Sequence, residues 1–196
     1  MKKKPNKAID EIHRKLGLVT IHFGTLEFQL RLFVAEIMTG VSGASMPEEA
    51  QFQLNLGFLV TSELRFYKLT EMLESLFKHL HSDRDLVAEF EALLKQANQA
   101  AGLRDQVAHS QWIALPKELG HLRRIKITAR RRKGQPRNLY STFDTLNAKD
   151  ISNIAELLRK TAKAISVFRY KSDHWGALEM SIGYSKRKRS KSKRSL

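Results

Sequence analysis

Gly102-Leu103-Arg104-Asp105-Gln106-Val107-Ala108-His109-Ser110-Gln111-Trp112 closes a run with a helical rhythm that begins near Leu86. Apolar or small residues recur at Leu86, Phe90, Leu93, Ala97 and Ala100, in alternating steps of four and three, which marks one buried helix face. The same stripe continues onto Arg104 and then Val107. An arginine on a buried stripe is costly unless an anion or a hydrogen-bonding group meets it. His109 follows where the pattern gives out. Residues five apart on a regular helix are separated by about 140°. Arg104 and His109 therefore share a role only if the helix ends at Ala108 and turns the histidine back, or if two subunits each supply part of one site.

Working toward the N-terminus, Ser82-Asp83-Arg84-Asp85 has the spacing of a capping box, with Ser82 as the expected N-cap of the motif helix. Before it, Phe66, Leu69, Leu73, Leu76 and Leu80 mark a helical stripe within an expected helix from Val60 to His81. His79 and His81 sit at its end, but positions i and i+2 point to different sides of a helix, so they read as helix-end histidines rather than metal ligands. Pro47-Glu48-Glu49 suits a helix start, with proline in the first turn and acids near the positive end of the dipole; this short helix is expected to reach about Leu56 and merge with the next after Gly57. Thr39 to Pro47 reads as a loop. The first element is the longest: Ile9, Ile12, Leu16, Val19, Phe23, Leu26, Leu30, Phe33 and Ile37 keep three-four spacing, predicting one helix from about Asn6 to Met38. Leu18, Ile21, Phe28 and Leu32 widen its apolar face enough to serve a bundle and also a second subunit. Glu27 lies beside that stripe, as a partner for Arg104 or as a snorkelling surface glutamate.

Beyond the motif the rhythm changes. Ile125, Ile127 and Ala129 alternate with Arg124, Lys126, Thr128 and Arg130, and this period of two predicts a strand with one basic face. A turn at Lys133-Gly134-Gln135-Pro136 and a return strand from Asn138 to Asp144 make a small β-hairpin, within an insertion at about 111–144. Asn147-Ala148-Lys149-Asp150 reads as another N-cap, and Ile151, Ile154, Leu158, Ala162, Ile165 and Phe168 continue a helix to about Tyr170. A short further helix is expected over Trp175 to Ile182. The expected organisation is one mainly α domain over 9–183, a basic N-terminal extension over 1–8 and a basic disordered tail over 184–196.

The chain's 196 residues, 42% of them hydrophobic, are enough for one domain with a sizeable core. No uninterrupted apolar run approaches the roughly 20 residues that span a bilayer, and the basic start lacks the apolar stretch of a secretory signal. Cysteine is absent, which excludes a disulfide framework, a thiol nucleophile and a thiolate metal site; a cytoplasmic location is expected. The net charge of +15 is uneven: 19 of 35 basic residues lie in 1–7, 121–137 and 184–196, which hold no acid, leaving the remainder at −4. Such asymmetry points to a polyanionic partner, nucleic acid ahead of membrane, or to solvated tails.

Arg104-Asp105-Gln106-Val107-Ala108-His109 resembles the Arg-x4-6-His motif of HEPN domains, which are helical bundles. Asp105 matches the polar residue that commonly follows the arginine. Phe23-Gly24-Thr25-Leu26-Glu27 on a long first helix, Trp112 after the motif and a final helix opening Thr145-Leu146-Asn147-Ala148-Lys149-Asp150-Ile151 extend the resemblance over roughly residues 9–170. It implies a HEPN-like antiparallel bundle, a homodimer, and a metal-independent endoribonuclease whose motifs from two subunits meet in a cleft, often in toxin or defence systems. RNA supplies its own nucleophile, the 2′-hydroxyl. An imidazole can exchange the proton at neutral pH and a guanidinium can hold the phosphorane charge, roles that fall to His109 and Arg104. Asp105 orients one of them, and Ser110, Arg124, Lys126, Arg130, Arg131 and Arg132 are expected to contact RNA. No cofactor is implied, and no metal-ligand cluster stands out. The alternatives are a non-catalytic nucleic-acid-binding or adaptor protein and a toxin silenced by a partner. Structurally, Arg104 could instead fix packing and His109 could cap the last carbonyls.

Overall fold

The long three-four stripe folds as one helix, α1 (Lys7–Thr39), around which the rest is arranged. The computed structural model describes residues 7–40, 48–109, 111–114, 121–130 and 138–172, with the backbone alone for 7–8, 48–50, 52–54, 111, 113–114, 121–130 and 138–145. The expected helix over Trp175–Ile182, the tail over 184–196 and residues 1–6 lie outside the described residues. Gly40, at φ +69°, ends α1 by donating its N–H to the Glu36 carbonyl at 2.9 Å, a left-handed cap that glycine adopts without a Cβ penalty. By length and composition alone α1 could cross a membrane, and it is also the helix that the other four pack against.

The second helix, α2 (Glu48–Ser62), runs straight through Gly57. A Cβ on Gly57 would lie 2.7 Å from both Cα and Cβ of Ala35, so the missing side chain lets α2 close on α1. The stretch expected as one helix from Val60 to His81 is broken at 63–65, because the Leu64 carbonyl accepts from the Arg31 guanidinium at 3.1 Å rather than continuing a helical ladder. The third helix, α3 (Phe66–Leu80), follows. The motif helix is α4 (Arg84–Ala108), and its N-cap is Asp83 rather than Ser82: the Asp83 carboxylate accepts from the N–H groups of Asp85 and Leu86. The last helix, α5 (Ala148–Lys171), starts at the expected N-cap, and the structure completes it as a capping box, Asn147 and Asp150 each accepting the other's backbone N–H. These five helices pack together, and the fold is mainly α-helical.

Between α4 and α5 the backbone forms three short antiparallel strands, β1 (Gln111–Ala114), β2 (His121–Arg130) and β3 (Asn138–Asn147), in the order β1-β2-β3. The hairpin expected from the period-two pattern corresponds to β2 and β3. The short apolar run after the motif adds β1 at the edge, with Trp112 opposite Arg124 and Arg124 opposite Asp144.

One phenylalanine from each of four helices meets at the centre: Phe33 of α1, Phe77 of α3, Phe90 of α4 and Phe168 of α5. Their ring centroids lie between 4.3 Å (Phe77–Phe90) and 6.4 Å (Phe33–Phe168), within the range of favourable aromatic pairs. Above them, the Arg169 guanidinium donates to the Glu36 carboxylate at 2.9 Å, with side-chain exposures of only 5% and 2%.

Removing one member of such a pair leaves a desolvated charge, so Arg169→Met should cost about 3–5 kcal/mol in urea unfolding, while the double variant with Glu36→Leu should recover most of that. Equal instability of both variants would show that lost shape, not stranded charge, sets the effect. Gly57→Ala should lower stability by about 1–3 kcal/mol, since a Cβ there meets α1 backbone; an unchanged melting temperature would contradict that close approach.

Candidate functional site

The phase of α4 decides where the motif points. Phe90, Leu94, Ala97, Ala100 and Ala101 are buried, and Arg104 continues their stripe to the rim of the core. There its guanidinium carbon sits 4.3 Å from the centroid of the Phe23 ring of α1, and its Nη1 donates to Asp105 Oδ1 at 2.9 Å. Its side chain is 24% exposed, and its buried Nε has no hydrogen-bond partner among the described residues. An aromatic face and an adjacent carboxylate are thus what make an arginine tolerable on an apolar stripe. Phe23 is itself held by Phe66, at 5.2 Å between centroids. Tyr67 completes this corner: its hydroxyl lies 3.7 Å from where a Cβ on Gly102 would sit.

Glu27 is not the partner of Arg104. It pairs with Arg31 at 2.7 Å, one turn along α1. Asp105, expected to orient either member of the motif, is paired with the arginine.

His109 is the C-cap of α4 and is exposed. Its N–H donates to the Asp105 carbonyl at 3.1 Å, so helical hydrogen bonding continues through it and the offset of about 140° from Arg104 persists. The helix does end at Ala108, as one of the two expected arrangements requires. Trp112 folds back on the helix end, donating its indole N–H to the Val107 carbonyl at 3.2 Å and packing against the core. This satisfies one of the carbonyls a helix leaves unpaired at its C-terminus, and it holds His109 at the corner between α4 and β1. Within one copy, then, α4 brings Arg104 and Asp105 together and leaves His109 on another side.

Ser110, Arg131 and Arg132 lie outside the described residues. Arg124, Lys126 and Arg130 occupy alternate positions of the β2 backbone, opposite Asp144, Thr142 and Asn138 of β3. Two open grooves are lined by residues outside the motif: Gly24, Glu27, Phe28, Arg31, Phe58 and Ser62 between α1 and α2, and His22, Thr25, Gln29, Arg159, Lys163 and Ser166 among those between α1 and α5. Among the described residues no group of three or more His, Asp or Glu could hold a metal ion.

Sequence reasoning did not find the seat of Arg104, Phe23 with Tyr67 nearby, nor the buried Glu36–Arg169 pair. Only the phase of Phe23, near the edge of the α1 stripe, offered a signal for the first. Set against protein-family models, curated proteins and solved structures, the chain matches none of them.

His81 stacks on Phe77 with centroids 4.2 Å apart, and burial pushes its pKa below the ordinary 6.5 against the opposing charge of Asp83. The folded state thus binds this proton less readily than the unfolded chain. The stability this contributes is complete above pH 6.5 and is lost as pH falls from there through the folded-state value. His81→Phe should flatten that part of the stability–pH curve. An unaltered slope in urea titrations at pH 7, 6 and 5 would assign the acid sensitivity elsewhere.

Proposed function

We propose that this chain is a HEPN-like, metal-independent endoribonuclease acting as a homodimer, with Arg104 and His109 of two copies facing RNA across a shared cleft. The observation that carries this reading is the seat of Arg104: a partly exposed guanidinium at the rim of the core, on Phe23, with His109 exposed at the end of the same helix but on another side. Two residues that diverge within one copy act together when a two-fold axis sets one helix end against the other. The chemistry needs little else. The 2′-hydroxyl of RNA attacks the adjacent phosphorus as His109 exchanges the proton, and the bond to the 5′-oxygen breaks, leaving a cyclic phosphate and a 5′-hydroxyl. Arg104 holds the charge that builds on the phosphoryl oxygens, with Asp105 positioning it. Arg124, Lys126 and Arg130 on β2, with Arg131, Arg132 and Ser110 nearby in sequence, supply phosphate contacts that carry affinity rather than catalysis.

A second reading has one observation in its favour: Asp105 takes up part of the Arg104 charge. On that reading the protein binds nucleic acid without cutting it, as an adaptor or as a toxin held by a partner, and its affinity falls steeply with salt.

Incubating purified protein with RNA in EDTA separates the two. The nuclease reading expects His109→Ala and Arg104→Ala each to lose about 100-fold or more of the cleavage rate. An equimolar mixture of the two inactive variants should regain about a quarter of wild-type activity, because mixed dimers hold one intact composite site. RNA left equally intact by all three proteins sinks the nuclease reading, and salt-sensitive binding that survives His109→Ala then supports the adaptor.

A further inference from the structure

Among the described residues, the second helix has one substantial packing neighbour, α1. Its residues from Gln51 to Ser62 include no Asp, Glu, Lys or Arg, and Leu56, Leu59 and Val60 are exposed, Leu59 by 68%. A helix apolar on nearly every side is ordinarily covered on every side. The adjoining part of α1 has the same character: Leu16 to Leu26 also lacks any of those four charged types, and Ile21 and Phe28 are exposed by 63% and 50%. Phe28 stacks on Phe58 of α2 at 5.6 Å, joining the two helices into one apolar face.

We infer that this α1–α2 face is where two copies of the chain pair, an inference that rests on the two-copy reading of the motif and assigns its interface. Charge selects the occupant. On a chain of net charge +15, a face whose groove arginine, Arg31, is neutralised by Glu27 at 2.7 Å does not invite a polyanion, and two basic molecules meet there with little repulsion. A second copy presents the matching face by symmetry. The face also reaches the motif, since Gly24, in the α1–α2 groove, directly follows Phe23, which carries Arg104. A Cβ on Gly17 or Gly24 would meet nothing within 4 Å among the described residues, so the packing described within one copy makes no use of these bare positions. Against a second α1 they permit close backbone approach.

Sedimentation equilibrium on the full chain, without RNA, tests this. The wild type should weigh about 45 kDa, twice its 22.5 kDa. Phe28→Glu and Leu59→Glu should each weaken the dimer about 30-fold or more, as charges buried at an interface centre do, with helical circular dichroism retained. Gly24→Leu is the decisive variant: it fills open space with a better helix former, so it should melt no lower than wild type and still dimerise less well. Val167→Glu, at an exposed position of α5, should leave the dimer intact. A wild type of single-copy mass overturns the inference, including one that instead floats with vesicles of neutral phospholipid. So does a dimer indifferent to Phe28→Glu, Leu59→Glu and Gly24→Leu. A dimer of the expected behaviour that leaves RNA intact removes the nuclease reading alone, and an active protein whose dimer ignores these variants removes this interface alone.

Discussion

Four phenylalanine rings in mutual contact, Phe33, Phe77, Phe90 and Phe168, set the phase of every helix that carries one. Each ring fills space left by the other three, and a core packed at crystal-like density does not let one helix rotate without opening a void or forcing a clash. Fixing Phe90 fixes α4. Arg104, fourteen residues on, then lies within about 40° of the same direction on the wheel. It points at α1 just where the buried stripe runs out and Phe23 takes over. At the end of the same helix, where His109 is exposed, the helix ladder and the Trp112 indole hold the backbone in place.

The same core sets two arginines two different tasks. Arg169 of α5 is almost wholly removed from solvent and faces Glu36 of α1 in a buried ion pair. Arg104 stops at the rim, its charge met by an aromatic face and a neighbouring carboxylate of intermediate exposure. A pair buried like the first adds little net stability but penalises any packing that separates its members. A guanidinium placed like the second keeps part of its surface toward solvent, which is the condition for meeting a phosphate.

Surface chemistry divides along similar lines. Along the sequence, basic residues gather in 121–137 and at the two ends, whereas α2 and the middle of α1 carry few charges. The helical body is therefore acidic on balance, the additions are basic, and one face is neither. On the proposed reading, that partition separates attraction to a polyanion from attraction between copies, and salt acts on the first far more than on the second.

Much of this was legible in the residues. Period and capping chemistry alone predict α1, α4 and α5, the β2–β3 alternation, and the oddity of Arg104, because helix phase and N-cap hydrogen bonds depend on neighbours a few positions away. One error was local, Asp83 outcompeting Ser82 as cap by one position; the other was not, since Arg31 of α1 donates to the Leu64 carbonyl where α2 and α3 part. What only the tertiary structure decided is every partnership between distant residues. Phe23 beneath Arg104, Glu36 against Arg169, Glu27 turned to Arg31 and the uncovered side of α2 all follow from how helices converge. A sequence pattern states that a face is apolar or a charge is misplaced; which neighbour meets it depends on the relative rotation and closeness of whole helices, and those are set by the packed rings at the centre.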